Sequence, residues 1–139
     1  PAPPRPPAED AGPSPRGEED LLLVEDNARL RTALAAALGD LGYRVRVAAD
    51  GAEALARFAE GGAPPQAVLC DVVLPDLAGP ELVERLRATA PELPVLFLSG
   101  ASGAAVAGRD RRGRPVPLLA KPFTVDTLAR ALRRLLDDR

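Results

Sequence analysis

Leu21-Leu22-Leu23-Val24, followed at once by Glu25-Asp26-Asn27, decides how this chain folds. Four consecutive apolar residues without alternation read as a short strand covered on both faces, and strands of that kind belong to parallel sheets. The abrupt change to acidic residues marks the carboxyl end of the strand. The pattern then repeats. Ala67 to Cys70 runs into Asp71, Val95 to Leu98 into Ser99-Gly100, and Val116 to Leu119 into Lys121. Tyr43, Val45 and Val47 alternate with Arg44 and Arg46, the half-exposed pattern of an edge strand whose charges deter pairing with another sheet.

Between these runs the apolar period becomes helical. Leu30, Leu34, Ala37, Leu38 and Leu41 share one face, and Gly42 stops that helix. Asp50 followed by Glu53 reads as a capping-box-like start for a helix carrying Ala54, Leu55 and Phe58. Pro80 suits a first helical position ahead of Leu82, Val83 and Leu86. A fourth helix is expected over 101–114, short and interrupted by Gly103, Gly108 and Gly113. Thr124 caps a final one whose buried stripe is Leu128, Ala131, Leu132, Leu135 and Leu136. Five strands alternating with five helices predict an α/β fold: a doubly wound five-stranded parallel sheet with helices on both faces. With the flavodoxin-like strand order 2-1-3-4-5, the switch point falls between the first and third strands.

Composition narrows the function. The 139 residues suit one domain, and a net charge of −2 argues against general nucleic-acid binding. A single cysteine excludes an internal disulfide, and the lack of histidine removes the usual zinc ligand and general base. No apolar stretch approaches the roughly 20 residues that span a bilayer, so a cytoplasmic protein without membrane contact is expected. The Pro-rich opening reads as a semi-extended linker over 1–18, with the folded domain over 19–139.

The polar residues gather at one edge. Glu25, Asp26, Asp71, Ser99 and Lys121 all end strands, so a parallel sheet brings them together where open α/β sheets keep their sites. Crowded carboxylates raise one another's pKa unless a cation intervenes. Mg²⁺ resolves the conflict, because it takes one or two carboxylates with waters and a phosphoryl oxygen, and Asp26 and Asp71 suit it as ligands. Lys121 is the one lysine among 18 basic residues, and its position at this edge calls for a compact ammonium, not a guanidinium fork.

Four separated segments make the pattern specific: Leu23-Val24-Glu25-Asp26-Asn27, Asp71-Val72-Val73-Leu74-Pro75 through Gly79-Pro80-Glu81-Leu82, Leu98-Ser99-Gly100 and Lys121-Pro122-Phe123. In order and spacing they resemble the receiver domain of two-component response regulators. Gly-Pro-Glu-Leu after the acceptor loop, with a Pro-rich run upstream, resembles the C-terminal receiver of a hybrid sensor histidine kinase.

The resemblance implies Asp71 as the phosphoacceptor, taking a phosphoryl group from a histidine kinase or histidine phosphotransfer domain. It implies Mg²⁺ held by Asp26, Asp71 and the Val73 backbone carbonyl, with Glu25 acting through water. Ser99 and Lys121 are then expected to contact phosphoryl oxygens, and the Lys121–Pro122 bond to be cis. Leu118 departs from the pattern, since receivers commonly carry an aromatic switch residue three positions before the lysine.

Two other classes compete. A haloacid-dehalogenase-like phosphohydrolase expects a second acid two residues after the nucleophile, where this chain has Val73. A degenerate receiver serving as a docking scaffold is argued against by the intact acidic group, Ser99 and Lys121. Cys70 reads as a core thiol, Arg109, Arg111, Arg112 and Arg114 as a solvated loop, and Asp76, after Pro75, as a solvent-facing turn residue.

Overall fold

The apolar runs fold as strands β1 (Asp20–Val24), β2 (Arg44–Ala48), β3 (Ala67–Asp71), β4 (Val95–Ser99) and β5 (Leu118–Ala120). All neighbours pair in parallel, in the order β2-β1-β3-β4-β5, which is the expected sheet. The structure, a computed structural model, describes residues 12–60, 63–100 and 117–138. The helix expected over 101–114, its arginine cluster and the first residue of the expected fifth strand lie outside the described residues. The described helices are α1 (Ala28–Asp40), α2 (Gly51–Ala59), α3 (Gly79–Arg87) and α4 (Val125–Asp137).

Because side chains alternate along a strand, each central strand feeds two cores. Leu21, Leu23, Leu69, Leu96 and Leu98 face Leu34 and Leu38 of α1 and Leu128, Leu132 and Leu136 of α4. Leu22, Val24, Val68, Val95 and Phe97 face Ala54 of α2 and Leu82, Val83 and Leu86 of α3. This explains why β1, β3 and β4 read as unbroken apolar runs: neither face meets water. β2 lies at an edge, and its Val45 and Val47 are only partly buried, both against the core that holds Leu34 and Leu38. The buried stripe of α4 is rotated slightly from the expected one, with Ala129 buried and Ala131 only partly so.

Local chemistry sets the helix ends. The Asn27 side chain accepts the Leu30 amide at 3.0 Å, Asp50 accepts that of Glu53 at 2.8 Å, and Thr124 accepts that of Thr127 at 3.1 Å. Glu53 reaches back to the Ala49 amide at 3.0 Å, one residue ahead of the cap, so the capping-box reading holds with a one-residue shift. Gly42 follows α1 with φ +105°, and a Cβ there would run into the Gly17 carbonyl oxygen, so both conformation and space demand glycine.

Residues 12–19 lie along α4. Ser14 donates to Asp126 at 2.8 Å, Arg130 donates to the Gly12 and Pro13 carbonyls at 3.4 Å, and Arg133 to the Arg16 carbonyl at 3.3 Å. The Gly17 amide donates to the Leu41 carbonyl at 3.1 Å. Arg133 also forks onto Glu19, at 2.6 Å and 3.1 Å, and this pairing holds the Glu19 carboxyl down at about 2 against an ordinary 4.5. A depressed carboxyl stabilises the fold above its unfolded value and loses that contribution as pH falls toward its folded one. Between about pH 4.5 and 2 the protein is therefore expected to lose this stability. Glu19→Gln should flatten the acid limb in urea melts taken across that window, and an unchanged limb would show that the pair contributes nothing.

Candidate functional site

The parallel sheet delivers its acidic residues to one edge, as the strand ends predict. Glu25 directly follows β1, and its amide donates to the Ala48 carbonyl of β2 at 3.0 Å, which fixes it between two strands. Its side chain is fully buried. Oε1 accepts from Lys121 Nζ at 2.8 Å and Oε2 from the Asn27 amide at 3.0 Å, so both oxygens are satisfied. Arg31 Nη1 donates to the Glu25 carbonyl at 2.9 Å. Asp26, the next residue, is exposed at the rim.

Asp71 ends β3 and is 7% exposed. Its Oδ2 accepts from Lys121 Nζ at 2.9 Å and its Oδ1 from the Val73 amide at 3.2 Å. The backbone beyond it stays tied to the sheet through the Val72 amide and the Leu98 carbonyl at 3.0 Å. Lys121 is held from the other side, its amide donating to the Ser99 carbonyl at 2.7 Å, and the Lys121–Pro122 bond is cis as expected.

One ammonium thus bridges two carboxylates from strands that are separate in sequence. Burial pushes the Glu25 carboxyl above its usual range, against the pull of Lys121 and the Asn27 amide. For Lys121, burial works against the charged amine, but its hydrogen bonds to Glu25 and Asp71 outweigh this and hold its pKa above the ordinary value. A compact ammonium suits the position, because three rotatable donors can serve two carboxylates that approach from different directions.

Glu25, Asp26 and Asp71 each offer a carboxylate oxygen within 4.8 Å of the others. An all-oxygen, all-carboxylate donor set is the chemistry of a hard divalent ion. The residues therefore fit Mg²⁺. Asp26 is the exposed member of the set, whereas Glu25 and Asp71 each have both oxygens engaged, by Lys121 together with the Asn27 amide and by Lys121 together with the Val73 amide.

Residues 21–133 match the family described as the response regulator receiver domain. The chain belongs to that family. This receiver domain is 36% identical over 121 residues to the sensor kinase CckA of Brucella abortus, covering 87% of this chain and 13% of the kinase. It is 37% identical over 118 residues to the response regulator MprA of a Mycobacterium species, covering 84% of this chain and 50% of that protein. The chain thus spans about half the length of one of these relatives and a small part of the other. Among solved structures, the receiver domain of NtrX from Brucella abortus superposes with a TM-score of 0.76 at 31% identity, covering 86% of this chain and all of that one.

The receiver places the other expected site residues less uniformly. Ser99 ends β4 and is 1% exposed, and its hydroxyl donates to the Gly100 carbonyl at 2.9 Å, not to the acidic group. Val73 lies beside Asp71 with its side chain 64% exposed. Leu118 is partly buried and packs on the core that contains Phe97. Cys70 is buried as expected, its thiol pushed up chiefly by burial. The sequence reading missed three contributors: Asn27 and Arg31, which hold Glu25, and Asp76, whose carboxylate grips the start of α2. Asn27 could have been found as a helix cap, since Asn ahead of an apolar periodic run is a standard start signal.

Proposed function

We propose that this receiver domain, assigned to residues 19–139, accepts a phosphoryl group on Asp71 from a phosphohistidine of a histidine kinase or histidine phosphotransfer domain. The observation that carries the reading is the bridge from Lys121 to Glu25 and Asp71 within a three-carboxylate cluster. An Asp71 oxygen attacks phosphorus, the P–N bond breaks, and the imidazole leaves with the bonding pair. Asp26, Asp71 and the Val73 backbone carbonyl hold Mg²⁺, with Glu25 acting through water. When bound, the ion offsets the negative charge that gathers on the transferring group. Lys121 is within reach of one phosphoryl oxygen. Ser99 turns its hydroxyl from the Gly100 carbonyl toward another, which changes the surface beside β4 and β5.

Likeness to a sensor kinase supports a receiver joined to a kinase, as the Pro-rich run does. Likeness to MprA supports a response regulator with a further domain. Among the described residues no helix is long and apolar enough to cross a membrane. The compartment we assign is the cytoplasm, where two-component phosphotransfer takes place.

Beryllofluoride, a phosphoryl mimic, should bind only together with Mg²⁺, since each supplies charge the other needs. Amide shifts around Asp71, Ser99 and Lys121 would report it in solution. Mimic binding without metal would contradict the carboxylate–metal assignment, and no binding at all would favour a docking scaffold.

A further inference from the structure

Helix α2 starts with four backbone N–H groups that the helix itself cannot satisfy. One of them, that of Glu53, is met locally by the Asp50 carboxylate at 2.8 Å, and the Ala54 amide makes the first bond of the helix itself, to the Asp50 carbonyl at 3.0 Å. Two more are met by a single residue 25 positions further along the chain than Gly51. Asp76 accepts from the Gly51 amide at 2.8 Å through Oδ1 and from the Ala52 amide at 2.9 Å through Oδ2. The same carboxylate accepts its neighbour's amide, that of Leu77, at 3.0 Å. These amides hold the Asp76 carboxyl below the usual range, led by those of Gly51 and Ala52.

Asp76 sits at the tip of an excursion that starts at the acceptor. Val73 and Ala78 form an isolated bridge that closes its base, and the Gly79 amide donates to the Val72 carbonyl at 2.7 Å. The fit is close at both ends. A Cβ at Gly79 would run into the Asp71 carbonyl oxygen, and a Cβ at Gly51 into the Leu77 side chain. The base of the excursion is therefore fixed to β3, and its tip to α2 by a two-pronged grip on a helix N-terminus that favours a negative group.

We propose that Asp76 is a positioning residue for the metal: by fastening the tip of the 73–78 excursion to α2, it holds the Val73 backbone carbonyl in place to complete the ligand set of Asp26 and Asp71. The proposal rests on the phosphoacceptor reading above. Asp76 touches neither the ion nor the phosphoryl group, and it acts by holding the far end of an excursion whose base, at Val73 and Ala78, is tied to β3. A preset carbonyl spares the ion the cost of ordering it.

The test is a Mg²⁺ titration of the whole chain, followed by amide shifts, for the wild type, Asp76→Ala and Asp76→Asn. Loss of a supporting partner behind a metal ligand typically weakens binding by about tenfold or more, and Asp76→Ala is expected to show about that. Asp76→Asn keeps one carbonyl for one of the two amides and should fall between, which separates grip from charge. At saturating Mg²⁺ both variants should take label from a small phosphodonor within about twofold of wild type, since only metal binding was weakened. Asp76→Ala that melts earlier yet binds Mg²⁺ like wild type would reduce Asp76 to a helix cap and overturn the proposal. Equal loss in both variants would assign the effect to charge and overturn it too. Should the alanine variant not fold, the asparagine variant alone decides, by an affinity below wild type or equal to it. A wild-type chain that binds no Mg²⁺ would instead sink the phosphoacceptor reading, and this proposal with it.

Discussion

Asp71→Asn is expected to take up less than about 1% of the label that wild type accepts from a small phosphodonor, because an amide lacks the carboxylate's nucleophilic oxygen. The substitution keeps the side chain's shape and can still accept the Val73 amide, which donates to Oδ1 at 3.2 Å. Folding should therefore survive, and the loss can be read as chemistry. The edge holds two other acids, Glu25 and Asp26, so specificity is part of the prediction. Glu25 is fully buried where Asp71 is 7% exposed, and Asp26, although exposed, has no hydrogen bond from Lys121 among the described residues. Intact-mass measurement after phosphodonor treatment gives the answer. Uptake at the wild-type rate by Asp71→Asn would mean that another residue is the acceptor.

Removing the bridging amine should have the second large effect, and it should show first in stability. In Lys121→Ala the buried Glu25 keeps its Asn27 amide but loses its only ion-pair partner among the described residues, and Asp71 loses the same ammonium. Breaking a buried pair by deleting one partner costs about 3–5 kcal/mol. Lys121 is 24% exposed, so water offsets part of that, and about 2–3 kcal/mol is expected here. Mg²⁺ should restore part of the loss by binding the folded state alone, and should stabilise the variant more than wild type, because the competing cation is gone. Urea melts with and without Mg²⁺ check both parts. Lys121→Arg should recover the charge but not the geometry, giving an intermediate midpoint and a weakened response to beryllofluoride. A wild-type midpoint for Lys121→Ala in metal-free buffer would show that the amine does not balance these carboxylates.

The fold was legible because burial on both faces leaves a strong mark. Leu21 to Val24, Ala67 to Cys70 and Val95 to Leu98 could hardly be anything but inner strands, and once they lie parallel, Glu25, Asp71, Ser99 and Lys121 must share an edge. Register is fixed by the same packing, since a one-residue slip would send Leu22 and Val24 into the wrong core. The finer geometry was not legible. That Lys121 would meet Glu25, 96 positions away, depends on side-chain reach across two strands, which no periodicity encodes. Asp76 after Pro75 has the composition of an ordinary turn, and nothing local reveals that its carboxylate answers two amides of α2. The Ser99 hydroxyl, expected on a phosphoryl oxygen, donates here to the adjacent Gly100 carbonyl, a partner that residue type alone does not reveal.

The path of residues 12–19 decides where the rest of a longer polypeptide would begin its reach. Helix α4 starts close after Lys121 and runs away from the carboxylates, with Asp126 in its first turn and Arg133 further down. Ser14 lies beside Asp126, whereas Arg16 and Glu19 lie beside Arg133, so the chain travels alongside α4 in the same direction and then reverses into β1. Ser14 is thus held at the end of α4 nearest Lys121, with Arg130 on the Gly12 and Pro13 carbonyls beside it. Were a partner module joined at this end by a short flexible linker, its encounter with the receiver would become a search within a small volume, where effective concentrations reach the millimolar range.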